Sequence, residues 1–249
     1  MRVAKAKQAD VSLRSRSHCL SIERRDALIS DNCPQVVTVE TRQPLDDVMA
    51  IDAAANFHLH LHRSNSKVSL HKRVTMGLHR LDSESWTPVE EDLLEDGKAT
   101  LTHDDNSVYA VSLRNGADVD LWPYLFWMDA TGYVIHPVYL PDPSAATPPL
   151  PKGAKMTIGT GTVGSEALAF SLNDGEPYNS GFLKLFLSTA YAPMNLVEQG
   201  SQAATASPLL LDVSRPPAAV GKSEVVPPKE IWDTMMACVT VARGDARPN

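Results

Sequence analysis

The run Leu121-Trp-Pro-Tyr-Leu-Phe-Trp-Met-Asp129, closely followed by Gly132-Tyr-Val-Ile135, constrains the fold more than any other segment. It gathers Trp122 and Trp127 with Tyr124, Phe126 and Tyr133. Successive side chains of a strand point to opposite faces. Leu121, Leu125 and Trp127 therefore share one face, and Trp122, Tyr124, Phe126 and Met128 share the other. Both faces need apolar cover, which places the segment as the central hairpin of a layered β structure.

Other segments repeat the two-residue period. Val74, Met76 and Leu78 alternate with Thr75, Gly77 and His79, and residues 108–113 repeat the pattern before Asn115-Gly116, a turn signal. Segments 132–140, 155–158, 167–172 and 181–188 read as further strands, with a proline-rich crossing at 141–151 between the first two. Cys238-Val-Thr-Val241 reads as a last strand returning to the sheet. Phe57, Leu59 and Leu61 alternate with His58, His60 and His62, which also predicts a strand. Before it, Leu45, Val48, Met49 and Asp52 have helical spacing, and Pro44 suits a first turn. The expected fold class is all-β, an antiparallel β-sandwich with one short N-terminal helix. The expected organisation is a basic, disordered leader over 1–42, in which only 35–40 looks like a strand, and a sandwich over 43–200. A flexible Pro/Ala/Ser-rich segment over 201–229 and a final strand or helix over 230–243 complete it.

The net charge of −7 is unevenly spread. Residues 1–25 carry seven basic side chains and two acids, leaving sixteen basic against twenty-eight acidic beyond them. An acidic body argues against nucleic acid as a partner. The chain has no apolar run long enough to span a bilayer and no hydrophobic stretch after the basic start, so no membrane association is expected. The three cysteines, Cys19, Cys33 and Cys238, form no CxxC pair. A reducing, cytoplasmic setting follows as the expectation.

Four motifs invite chemistry. Gly159-Thr-Gly-Thr-Val-Gly164 is a literal GxGxxG, but a dinucleotide site needs a helix next. Leu168, Phe170 and Leu172 instead alternate, so the continuation reads as strand and the glycines as a structural turn. A kinase phosphate loop would be followed by catalytic-loop and metal-ligand motifs, which are missing downstream, although Lys184 stands about where a second-strand lysine would be sought. On the predicted strand, His58, His60 and His62 would share one face at steps of roughly 7 Å, close enough for two to chelate Zn²⁺ or Cu²⁺ if a third group closed the site. A solvated face is the competing reading of the same row. Cys238 sits in an apolar run without a polar elbow, and Cys19 and Cys33 lie in the leader, so none is expected to be a nucleophile. The segment Thr147-Pro-Pro-Leu-Pro151 reads either as a polyproline ligand or as a crossing at the sandwich end.

Several of these blocks together resemble a known family. Phe57-His-Leu-His-Leu-His-Arg63, Val74-Thr-Met-Gly-Leu-His-Arg-Leu81, the tryptophan run and Pro141-Asp-Pro-Ser144 are among them. With Gly159-Thr-Gly-Thr-Val-Gly-Ser-Glu-Ala-Leu168 and Ser180-Gly-Phe-Leu-Lys-Leu-Phe-Leu-Ser188, they are similar to the region after the protease domain in fungal caspase-like proteins of the metacaspase type. The similarity covers about residues 55–200, and Trp232-Asp-Thr and Val239-Thr-Val241 extend it. A more distant likeness is to an uncharacterised β domain found after caspase or kinase modules in bacteria. A caspase-type protease needs a catalytic His in a His-Gly-rich turn and a Cys in an Asp-x-Cys-His-like strand end. Neither is present, so the chain resembles the accessory half alone. The resemblance implies a non-catalytic interaction or regulatory domain, with no catalytic residue and no cofactor. Its implied partner is a protein, a caspase-like protease domain. The alternatives are a metal-binding β-domain or hydrolase using the His58/His60/His62 face, and self-association through an edge strand.

Overall fold

A computed structural model of the protein describes residues 11–16, 18–33, 36–41, 44–82, 84–89, 91–172, 175–200 and 230–244. The N-terminal strands are β1 (Val11–Arg16), β2 (Cys19–Arg24) and β3 (Val36–Glu40), with a single helical turn α1 (Ala27–Ser30) and a long helix α2 (Pro44–Leu61). Then come β4 (Val74–Leu81), β5 (Lys98–Thr102), β6 (Val108–Asn115), β7 (Trp122–Asp129) and β8 (Val134–Tyr139). β9 (Lys155–Ile158), β10 (Tyr178–Ser188) and β11 (Trp232–Ala242) complete the described strands.

The tryptophan run becomes β7, inside a five-stranded sheet ordered β5-β11-β10-β7-β8. Its two faces divide as the alternation requires. Leu121, Leu125 and Trp127 join a core with Leu183, Leu185 and Leu187 of β10 and Val239 and Val241 of β11. Trp122, Tyr124, Phe126 and Met128 join a second core with Phe182 and Phe186. β8 is an edge strand, which accommodates Pro137 beside a register shift at Leu125/Phe126. β11 does more than return to the sheet. It pairs with β10 over the full length of both strands and lies near the sheet's middle. Its other neighbour, β5, runs parallel to it, the one departure from antiparallel pairing among the described strands.

The first core is closed by a second sheet, β4-β6-β9. Val74, Met76 and Leu78 of β4 pack with Tyr109, Val111 and Leu113 of β6 and with Met156 and Ile158 of β9. The two sheets form the expected sandwich. Asn115-Gly116 ends β6 without a tight hairpin. The Asn115 side chain, fully buried, donates to the carbonyls of Val119 and Leu150 and accepts from Ala117 N, and so braces a longer loop. The proline-rich segment crosses the sandwich end and tucks Leu150 into the core, paired with Leu121. Segment 167–172 makes no strand, only an isolated bridge from Leu168 to Tyr109.

Two sequence expectations are corrected on the second face. The helix does not end before Phe57 but runs to Leu61, so the row read as a strand is helical. Phe57 and Leu61 are four residues apart and lie with Ala50, Ala53 and Ala54 in the second core, while Leu59 faces solvent. Six residues of alternation are too few to separate the two periods, and no glycine or proline interrupts the chain between Pro44 and Leu61. The leader, over its described part, is ordered: β1, β2 and β3 form an antiparallel sheet. Leu20 and Ile22 alternate with Ser21 and Glu23 and enter the same core as α2. Arg24, 1% exposed, donates to the Ala130 carbonyl at 2.6 Å and so ties this sheet to the β7–β8 turn. Residues 1–10 of the expected leader and the expected flexible segment 201–229 lie outside the described residues.

Candidate functional site

On a helix, residues four apart share a face and residues two apart do not. The three histidines therefore separate. His58 and His62 stack with ring centroids 6.0 Å apart and planes at 14°. His60 turns inward, 9% exposed, edge-on to Phe186 at 6.4 Å. Burial lowers its pKa, and the nearby cations Arg63 and Lys184 lower it further. His71 and His79 lie elsewhere: His71 bonds Asp233 at 2.8 Å and His79 bonds Ser112 Oγ at 2.8 Å. The expected three-histidine face is thus corrected to a pair.

The pair has a third member that sequence reading missed. Asp26, between β2 and α1, places Oδ2 2.5 Å from His62 Nε2. Its Oδ1 accepts from Leu28 N at 3.0 Å and caps α1, which fixes the carboxylate plane. One ligand-capable atom from each of Asp26, His58 and His62 lies within 4.8 Å of the others. His58 is held by the edge of Phe57 at 6.2 Å and the ring of Tyr133 at 6.3 Å. Asp26 lies in a segment read as leader, and no local pattern links it to residues over thirty positions away.

The C-terminal end of α2 rests on a buried lysine. Lys184, 4% exposed on β10, donates from Nζ to the carbonyls of Leu61 at 2.8 Å and Arg63 at 3.0 Å. Helix ends leave carbonyls without intrahelical partners and carry partial negative charge, so an ammonium fits there. Burial pushes its pKa down to about 8, opposed by the Asp233 carboxylate. This capping role answers why a lysine occupies the apolar β10.

The three glycine amides of the glycine loop are all engaged within it. Gly159, Gly161 and Gly164 all have positive φ, which suits glycine. Gly159 N donates to Ser165 Oγ at 2.8 Å, Gly161 N to Ser165 O and Gly164 N to Gly161 O. No helix opens after Gly164. The loop does border a surface groove of about 470 Å³, floored by Trp127 and Phe170 and edged by His136.

The buried thiols are poor nucleophiles. Cys33 donates to Ser180 O at 3.4 Å, and burial pushes its pKa up to about 12. Burial pushes Cys238 up to about 11. At neutral pH the thiolate fraction is then on the order of one in ten thousand or less. All three cysteines are free, and Cys19 is half-buried.

The outer face of α2 exposes three aliphatic side chains. Leu45, Val48 and Leu59 are 61%, 60% and 63% exposed. With Asp52 and Ala55, also exposed, they succeed one another at helical spacing along about 21 Å of axis. No protein-family model, no curated protein and no solved structure matches the chain. No helix among the described residues is long and apolar enough to cross a membrane.

Proposed function

We propose that the chain is a non-catalytic interaction domain associated with caspase-like proteolysis, docking through the outer face of α2. The exposed aliphatic strip of Leu45, Val48 and Leu59 carries this reading. Single exposed apolar residues are ordinary, but three on one helix face, Leu45 and Val48 at one end and Leu59 at the other, match the mode in which a helix face lies in a partner's apolar groove. Asp52 on the same face, with Asp46 and Asp47 at its N-terminal end, favours a groove that also carries basic side chains. The partner class, a caspase-like protease domain, is supported by the sequence blocks that resemble the region after such domains. The same reading places the domain in the cytoplasm, which its three free thiols support.

The test is titration of a purified metacaspase-type protease domain with the full chain by calorimetry, alongside the Val48→Glu/Leu59→Glu variant. Both positions are exposed, so the variant keeps its fold. Saturable binding by the unmodified chain, weakened at least about tenfold in the variant, supports the proposal. Equal binding by both chains, or none by either, refutes it. Dimerisation of the free chain that the same substitutions abolish would assign the strip to self-association instead.

A further inference from the structure

We infer that Asp26, His58 and His62 form a binding site for a divalent metal ion of the zinc class, which staples the β2–α1 corner to the C-terminal turn of α2. The inference is independent of the docking role proposed for the helix's outer face.

The ligand set identifies the chemistry. Two imidazole nitrogens and one carboxylate oxygen suit Zn²⁺, Co²⁺ or Ni²⁺, whereas Ca²⁺ and Mg²⁺ call for mainly oxygen ligands. Histidines one turn apart on a helix are a ready bidentate arm, because both rings project from the same face. The His62 backbone N–H still bonds the His58 carbonyl at 3.0 Å, so the last turn holds that spacing one residue past α2. Bond lengths of about 2.0–2.1 Å around a tetrahedral ion put ligand atoms roughly 3.3 Å apart. The three atoms already lie within 4.8 Å of one another, a gap that small side-chain rotations close.

Two of the three ligands are oriented in advance. The bond from Leu28 N to Oδ1 leaves Oδ2 of Asp26 aimed at the pair, and Phe57 and Tyr133 flank the His58 ring. Such supporting contacts are what hold metal ligands in place. The exposed His62, with 45% of its side chain open to solvent, is the arm that closes. The solvent side leaves a fourth position for water or for a side chain of a bound partner.

Bound to one ion, a ring nitrogen of each histidine and the Asp26 carboxylate would serve a single cation. The metal links segments 32 residues apart in sequence, from Asp26 to His58, and so ties the N-terminal sheet to the helix that covers the second core. Acid displaces it, because the imidazoles must be neutral to coordinate.

The full chain, stripped with a chelator, is titrated with Zn²⁺ by calorimetry and by thermal unfolding. One ion per chain is expected, with a rise in Tm reversed by chelator. His62→Ala, at an exposed position, should fold normally and bind more than about 100-fold more weakly, a larger loss than the 10–100-fold typical of supporting residues. His136→Gln, at an exposed histidine of β8, should bind as the unmodified chain does. Co²⁺ loading should give visible absorption bands that His62→Ala lacks. No saturable Zn²⁺ binding, undiminished binding in His62→Ala, or Ca²⁺ binding in preference to Zn²⁺ would overturn the inference. The docking titration, run in chelator, reads out separately.

Discussion

Replacing Lys184 by methionine should change the pH dependence of stability in a way few other substitutions can imitate. The ammonium is 4% exposed and its pKa falls to about 8 from an ordinary 10.5. A drop of that size corresponds to about 3 kcal/mol of penalty for holding the charge inside, at 1.36 kcal/mol per pKa unit. The sign comes from linkage. Between pH 8 and 10.5 the unfolded chain binds more protons at this position, so stability rises with pH there, and below pH 8 the penalty is complete and constant. Methionine has similar length and no charge, so it removes the penalty. It also leaves the Leu61 carbonyl without the Lys184 donor, while Arg63 O still accepts from Thr234 Oγ1 at 2.7 Å. A lost buried partner costs about 1–3 kcal/mol. At pH 7 the variant should therefore lie between equal to the unmodified chain and about 2 kcal/mol more stable. At pH 10.5 the comparison should swing by about 3 kcal/mol in favour of lysine. Urea unfolding of both chains at several pH values measures the difference, in which the raised pKa values of Tyr124, Tyr133 and Tyr139 cancel. A stability difference that does not change with pH would show that the ammonium is not desolvated, and the capping account of α2 would fail.

Two further outcomes test the layers. Ile22→Ala should destabilise by about 2–5 kcal/mol in chemical denaturation, because Ile22 is fully buried between the N-terminal sheet and the central one; a silent substitution would restore the leader reading of this segment. Gly181→Ala should cost about 1–3 kcal/mol, because its new Cβ would overlap the six-membered ring of Trp127 and displace it from Phe170. Tryptophan fluorescence should shift with it, and an unchanged spectrum would show that the indole does not lie over the glycine.

Some of this architecture was readable from composition and period alone. The alternation in residues 121–128 assigned each side chain of β7 to the correct one of two cores, because a strand's side-chain direction is a local property of the backbone. The strands β4, β6, β9 and β10 came from the same rule. That no helix opens after Gly164 was legible on local grounds too, since the residues that follow lack a helical pattern. Where two local rules fitted the same residues, the strand reading chosen was overturned. Residues 57–62 satisfy a period of two as well as i, i+4 pairing, and only the aromatic face of β7 and β10, offering a surface to Phe57 and Leu61, resolves them as helix.

The local pattern of this chain determined that it builds a β core around a strand with two apolar faces. Tertiary structure decided what covers each face. Leu20 and Ile22 are too few to announce a sheet by themselves, and become core because the even-numbered aromatics of β7 need partners. It also decided the parallel seat of β5 beside β11, the use of Lys184 to close α2, and the meeting of Asp26 with His58 and His62. Each of these joins residues distant in the chain. Their free energy comes from excluding water and matching charge across that contact, which no stretch of neighbouring residues encodes.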